Sequence, residues 1–168
     1  LKVLDLPFGK FRDKGTPIDN LSNYNSSEEN FVYITNLGAI CNHRLIFGTK
    51  TAMLKIVDGS EFDVAKRTTA ATKLTDGDEV LFVHPVAGNE TIVMQSERDF
   101  FLRIAVDTIP EKKKGAVGVR GMRLADGDAL TAIHLLGEGE SAQTEVKGKS
   151  VMLNRLHVAG RDTKGTKK

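Results

Sequence analysis

Short hydrophobic runs, rich in β-branched and aromatic residues, alternate with turn-forming clusters along most of the chain. On that pattern residues 31–35, 39–47, 80–84, 91–95, 100–106 and 151–158 read as strands. Asn36-Leu37-Gly38, Asp58-Gly59, Asp76-Gly77, Ala87-Gly88-Asn89 and Asp126-Gly127 punctuate them as turns. Phe100, Phe101, Ile104 and Ala105 also satisfy helical spacing. Their alignment with residues 54–57, which lead into Asp58-Gly59, assigns them to a strand instead.

The pattern recurs along the chain. Asp76-Gly77-Asp78-Glu79-Val80-Leu81-Phe82-Val83-His84 returns 50 residues later as Asp126-Gly127-Asp128-Ala129-Leu130-Thr131-Ala132-Ile133-His134, and residues 28–35 are a weaker copy. Leu1-Lys2-Val3, Leu54-Lys55-Ile56, Leu102-Arg103-Ile104 and Leu153-Asn154-Arg155 mark a second phase. A basic loop follows each, with Gly15, Gly115 and Gly165 spaced by 100 and 50. A period near 50 residues with about four strands predicts an all-β, propeller-like fold, because one four-stranded sheet buries both faces only between neighbours. The chain accommodates about three such blades plus a partial one, giving an open arc or an incomplete disc.

A composition of 40% hydrophobic and 27% charged residues fits a globular chain. The single cysteine, Cys41, excludes an internal disulfide and a Cys-rich zinc site, and reads as a small apolar side chain on a strand. No apolar stretch approaches the ~18 residues that a bilayer span requires. With no signal-peptide pattern either, the expectation is a cytoplasmic protein without a membrane partner. A start at Leu1 suggests that residues 1–168 form one domain cut from a longer subunit.

The formal net charge of +2 hides an uneven distribution. Residues 10–14, 66–73, 112–123 and 161–168 hold 15 of the 24 Lys and Arg but only two acids, Asp13 and Asp162. Seven further acids cluster about a quarter-period later, at Glu28-Glu29, Asp76-Asp78-Glu79 and Asp126-Asp128. Charge in phase with a repeat predicts basic loops on one rim, a curved track suited to regularly spaced phosphates. Gly15, Gly115, Gly118, Gly121 and Gly165 let the backbone approach such a ligand. With no recognition helix, no Trp and most of the eight Phe in strand patterns, sequence-tolerant binding to double-stranded DNA is expected rather than base readout or stacking.

Other motifs read as structural. His84 and His134 sit at equivalent strand ends in different repeats, where packing explains them better than a shared metal. Asp76-Gly77-Asp78 and Asp126-Gly127-Asp128 lack the spaced acceptors of a calcium loop. Residues 115–121 match neither a dinucleotide nor a P-loop pattern. No catalytic residue, metal ligand or cofactor site is assigned.

Leu1-Lys2-Val3…Leu6-Pro7…Arg12-Asp13-Lys14-Gly15-Thr16-Pro17-Ile18…Asn20-Leu21 resembles the blade consensus of the C-terminal domain of bacterial DNA gyrase A and of its topoisomerase IV counterpart. So does Gly115-Ala116-Val117-Gly118-Val119-Arg120-Gly121-Met122-Arg123-Leu124…Gly127-Asp128. The gyrase box Q-R-R-G-G-K-G has no intact copy; Ala159-Gly160-Arg161-Asp162-Thr163-Lys164-Gly165 is nearest. The resemblance implies a β-pinwheel whose blades exchange strands and bend duplex DNA around a basic rim. It also implies an accessory domain, not itself an enzyme, of an ATP-dependent type IIA topoisomerase. The partners implied are a separate ATPase subunit and the breakage-reunion domain of the same polypeptide, working on DNA at the nucleoid. Basic residues in the recurring loops then become the candidate phosphate contacts: Arg12, Lys14, Lys66, Arg67, Lys112, Lys113, Lys114, Arg120, Arg123, Arg161 and Lys164. The alternative class is a propeller used for protein interaction without DNA. Tyr24 and Tyr33 are assigned no catalytic role.

Overall fold

The computed structural model describes residues 5–66 and 68–168. Two compact units divide the chain: residues 1–31 with 64–69, and residues 32–63 with 70–168. The first unit contains one described 3-10 turn, Ile18–Asn20, and otherwise loops. Tyr24 packs against Phe31 there, with ring centroids 4.9 Å apart.

The second unit opens with helix α1 (Leu37–Cys41) and continues almost wholly in antiparallel strands. β1 (Arg44–Thr49) and β2 (Met53–Asp58) form a hairpin, flanked by β3 (Val80–Val86) on one side and β6 (Val119–Arg120) on the other. This is sheet I, in the order β3-β1-β2-β6. Sheet II repeats it with β4 (Thr91–Ser96), β5 (Phe100–Ala105), β7 (Leu130–Leu136) and β10 (Thr166–Lys167), in the order β7-β4-β5-β10. A third hairpin, β8 (Gln143–Val146) and β9 (Lys149–Met152), follows. Each sheet receives its last edge strand only after the chain has built the next hairpin. Neighbouring sheets therefore exchange strands, as a pinwheel requires.

Period-2 alternation sends successive side chains to opposite faces, so each sheet serves two cores. Ile46, Leu54 and Ile56 of sheet I meet Ile92, Met94, Leu102 and Ile104 of sheet II in the largest buried cluster. The opposite face of sheet II gives Val93 and Phe101 to a cluster with Val146 and Leu153. Leu45, Phe47 and Val57, on the other face of sheet I, are covered by Ile40 and Phe62.

The structure corrects several expectations. Residues 31–35 form no strand; Val32 and Ile34 stay exposed, so their alternation finds no ladder. Residues 39–43 are helix end and turn rather than strand, because the Asn36 side chain accepts a 2.8 Å hydrogen bond from Ala39 N and caps α1. Asn36 thus starts a helix instead of a hairpin turn, and Cys41 sits half-buried at the last position of that helix. Strand 151–158 stops at Met152, where Leu153–Arg155 tightens into a 3-10 turn with Leu153 buried. The repeat also has two spacings. β3 and β7 stand 50 residues apart, whereas Arg44 answers Thr91, Met53 answers Phe100 and Val119 answers Thr166 at 47. Gly165 is consequently the counterpart of Gly118, not Gly115. A Cβ on Gly118 would lie 2.6 Å from Leu54 O, and one on Gly165 would meet Phe101 O at the matching place.

The Asp-Gly-Asp repeats brace the hairpins. Asp78, 8% exposed, accepts hydrogen bonds from Thr51 N (3.0 Å), Thr51 Oγ1 (2.6 Å) and Glu79 N (2.9 Å). Asp128 accepts from Arg98 N (3.3 Å) and Ala129 N (3.0 Å) at the equivalent turn. Asp78→Ala should therefore cost about 2–3 kcal/mol, and the more exposed Asp128→Ala about 1 kcal/mol, in urea unfolding. His134 on β7 is half-buried with an unpartnered Nε2, and burial lowers its pKa. Its folded value lies below the unfolded ~6.5, so folding favours the neutral ring. Its contribution is complete above pH ~6.5 and declines as the pH falls toward the folded value. Urea midpoints measured from pH 7.5 downward should show this decline, and His134→Leu should flatten it.

Candidate nucleic-acid interface

The candidate phosphate contacts of the second unit lie where the chain returns from one hairpin to complete the preceding sheet. After β5 the chain reaches sheet I at Glu111, which bridges Ile56, and Lys112 N donates to Ile56 O at 2.8 Å. Lys112, Lys113 and Lys114 follow, ahead of β6, in which Arg120 pairs with Met53. After β9 the chain repeats the move on sheet II: Val158 bridges Arg103, Ala159 N donates to Arg103 O at 2.8 Å, and the loop leads into β10. The two loops are thus equivalent, each on the outer edge of its sheet.

They also touch. Met122 bridges Thr163, Asp162 N donates to Gly121 O (2.8 Å) and Arg123 N to Thr163 O (2.9 Å). Arg161 Nη1 donates to Arg120 O at 3.1 Å. Asp162 Oδ1 lies 3.5 Å from Arg120 Nη1 and 3.6 Å from Arg123 Nε. Two guanidinium groups, those of Arg120 and Arg123, therefore share one carboxylate, while Arg161 is tied to the Arg120 carbonyl, leaving a local cationic excess. Lys164 lies apart, its ammonium 4.8 Å from the centre of the Phe100 ring.

Lys113 and Lys114 are held to the 3-10 turn Gly59–Phe62. Glu61 Oε2 accepts Lys114 N (2.9 Å), Glu61 O accepts Lys114 Nζ (2.7 Å), and Lys113 Nζ stands 3.5 Å from Glu61 Oε1. Glu61 and Lys55, which also reaches this loop, were invisible to sequence reasoning. Glu61 belongs to no charge cluster, and Lys55 reads as a polar place in a strand.

Arg12, Lys14 and Lys66 belong to the first unit, and Arg67 lies outside the described residues. Asp13 N donates to Lys10 O (2.9 Å) and Lys10 N to Asp13 Oδ2 (2.6 Å), closing a turn with Phe11 and Arg12 at its tip. Ala116 N and Lys113 O (3.0 Å) close the matching turn in the second unit. Phe8 and Phe11 are fully exposed beside these cations. That departs from the expectation that most Phe are strand residues: only Phe47, Phe82, Phe100 and Phe101 are.

Asp162 has φ +61°, a conformation that Asn tolerates and β-branched residues resist. Exposed ion pairs contribute ~0.2–1 kcal/mol, so Asp162→Asn should leave the urea midpoint nearly unchanged. Asp162→Val should lose about 1–3 kcal/mol by backbone strain.

Comparison with known proteins gives a consistent picture. A family model described as DNA gyrase C-terminal domain, beta-propeller, matches residues 43–87 and 90–136. Each match runs from the first hairpin strand of a sheet through its β3 or β7. The DNA gyrase A protein of Lawsonia intracellularis is 28% identical over 98% of this chain, which corresponds to 21% of that protein. That of Staphylococcus epidermidis is 25% identical over 99%, corresponding to 20% of its length. The chain thus spans about a fifth of these curated relatives. The crystal structure of the C-terminal domain of DNA topoisomerase IV superposes with a TM-score of 0.85 at 21% identity, covering 98% of this chain and 53% of that one. The DNA gyrase A C-terminal domain gives 0.72 at 20% identity, covering 92% and 53%. Among the described residues no helix is long and apolar enough to cross a membrane.

Proposed function

We propose, because this chain belongs to the DNA gyrase C-terminal domain family, that it binds duplex DNA through the phosphate backbone and bends it along the basic edges of successive sheets. The observation that carries this reading is the concentration of cations at equivalent edges of both sheets, only partly offset by Glu61 and Asp162. Lys112, Lys113, Lys114 and Arg120 border the β6 edge of sheet I, and Arg161 and Lys164 the β10 edge of sheet II. Asp76, Asp78 and Glu79 lead into β3, and Asp126 and Asp128 into β7, at the far edges. Cations on equivalent edges of stacked sheets follow a curved path, and phosphates along a duplex supply anions at regular intervals. Arg123 joins the same edge, and Arg12, Lys14, Lys66 and Arg67 are proposed as further phosphate contacts on the repeat phase of the sequence alone. Contacts to phosphate carry no sequence information, so binding through these loops should be insensitive to sequence.

In this reading residues 1–168 are one DNA-binding domain, accessory to a type IIA topoisomerase and without catalytic groups of its own. The longer polypeptide would be the gyrase A protein or its topoisomerase IV counterpart. Its breakage-reunion domain and a separate ATP-hydrolysing protein would act on the DNA held here, at the bacterial nucleoid.

Fluorescence titration with random-sequence duplex at several salt concentrations tests the proposal. The log–log slope should be about −0.9 for each phosphate neutralised, and the Lys112/Lys113/Lys114→Ala variant should lower its magnitude by about 2–3. Asp162→Asn should tighten binding, because it frees Arg120 and Arg123 without unfolding the loop. A flat salt response in the wild type would assign the module to a protein partner instead.

A further inference from the structure

We propose that Lys55 is a positioning residue for the basic loop of sheet I, holding its carbonyls inward and fixing the backbone that carries Lys112, Lys113 and Lys114. The inference rests on the DNA-binding reading above and deepens it. Lys55 lies on β2 and is 2% exposed. Its ammonium donates to Lys114 O (2.7 Å), Ala116 O (2.8 Å) and Lys113 O (3.4 Å), and sits 5.6 Å from the centre of the Phe47 ring.

A buried ammonium is expensive, so a side chain in this position needs a compensating role. The equivalent residue of sheet II, Leu102, packs into the core between the sheets and reaches no loop. An apolar residue therefore satisfies this place in the fold. What Lys55 adds is three hydrogen bonds to the loop that carries three consecutive lysines. Those lysines repel one another, and an untethered loop would spread them. Lys55 gathers the carbonyls of residues 113, 114 and 116 at a single point on the inner side. Glu61 holds Lys114 N from the adjacent turn, so donor and acceptor anchors fix the loop together. Turning these carbonyls inward also removes three negative dipole ends from the surface that would meet phosphate. Burial lowers the Lys55 pKa, while Glu61 opposes and Lys112 reinforces that shift.

The test compares DNA affinity and salt slope for wild type, Lys55→Met, the Lys112/Lys113/Lys114→Ala variant and the combined variant. Lys55→Met should lower the slope magnitude by about 2, as losing the loop's contacts would. In the combined variant it should weaken binding less than about twofold further, because the cations it positions are already gone. An unchanged slope in Lys55→Met, or its full loss of affinity persisting in the combined variant, would overturn the proposal. If Lys55→Met does not fold, the wild type decides. Nitrogen-detected NMR should show a Lys55 ammonium with slowly exchanging protons, and rapid exchange would refute the tether. Absence of salt-dependent binding by the wild type would remove the DNA reading alone, since the ammonium measurement still judges the tether.

Discussion

The second unit depends on one topological constraint: a sheet is finished by a strand that the chain delivers only after the next hairpin exists. β2 has an open edge until β6 arrives, and β5 until β10 arrives. An unfinished edge exposes a row of backbone donors and acceptors, so the return of the chain is enforced by hydrogen bonding as well as by packing. The same return dictates where residues 109–118 and 156–165 lie, because each must run along the outer edge of the preceding sheet before its short strand can pair. The position of the basic loops is therefore a consequence of strand exchange. Their charge is an addition to a path already set.

That path leaves little room. Gly118 approaches Leu54 so closely that any side chain there would strike the β2 backbone, and Gly165 repeats the contact at Phe101. These glycines admit the edge strand, whereas Gly115 faces open space. The glycines of the basic loops thus divide into one class required by packing and another at a turn. An account that gave them all to phosphate approach would merge two physical roles.

Much of the architecture was legible in the sequence because alternation and turn chemistry agreed. Residues 80–84, 91–95 and 100–105 are strands in the structure, and Asp76-Gly77 and Asp126-Gly127 are turns with Gly77 and Gly127 at positive φ. Segment 100–106 obeyed two periodicities, and comparison with its repeat chose correctly. Failures came where a local competitor beat the pattern. The Asn36 cap captured residues that looked β-prone, and residues 31–35 had alternation but no neighbouring strand with which to pair. The spacing of 50 came from Asp-Gly-Asp, the most conspicuous signal. It concealed the 47-residue spacing of the hairpins because the segment leading into β7 is longer than its counterpart. At the site, the clusters of cations were visible as composition. Their supports were not, since neither the Lys55 ammonium contacts nor the Glu61 clamp leaves a periodic trace.

A net charge of +2 does not weaken an electrostatic role when the acids leading into β3 and β7 lie across the sheet from the cations, although Glu61 and Asp162 sit among them. Four strands at about 4.8 Å spacing put the two edges of a sheet some 14 Å from one another. The Debye length near physiological ionic strength is about 8 Å, so the field of the acids leading into β3 and β7 is largely screened at the basic edges. A phosphate approaching the β6 edge of sheet I therefore responds to Lys112, Lys113, Lys114 and Arg120 far more than to Asp76 or Glu79. Near 10 mM salt the screening length is about 30 Å and the acids would partly cancel the attraction. Sheet width, rather than total charge, decides how basic this protein is to a ligand at its edge.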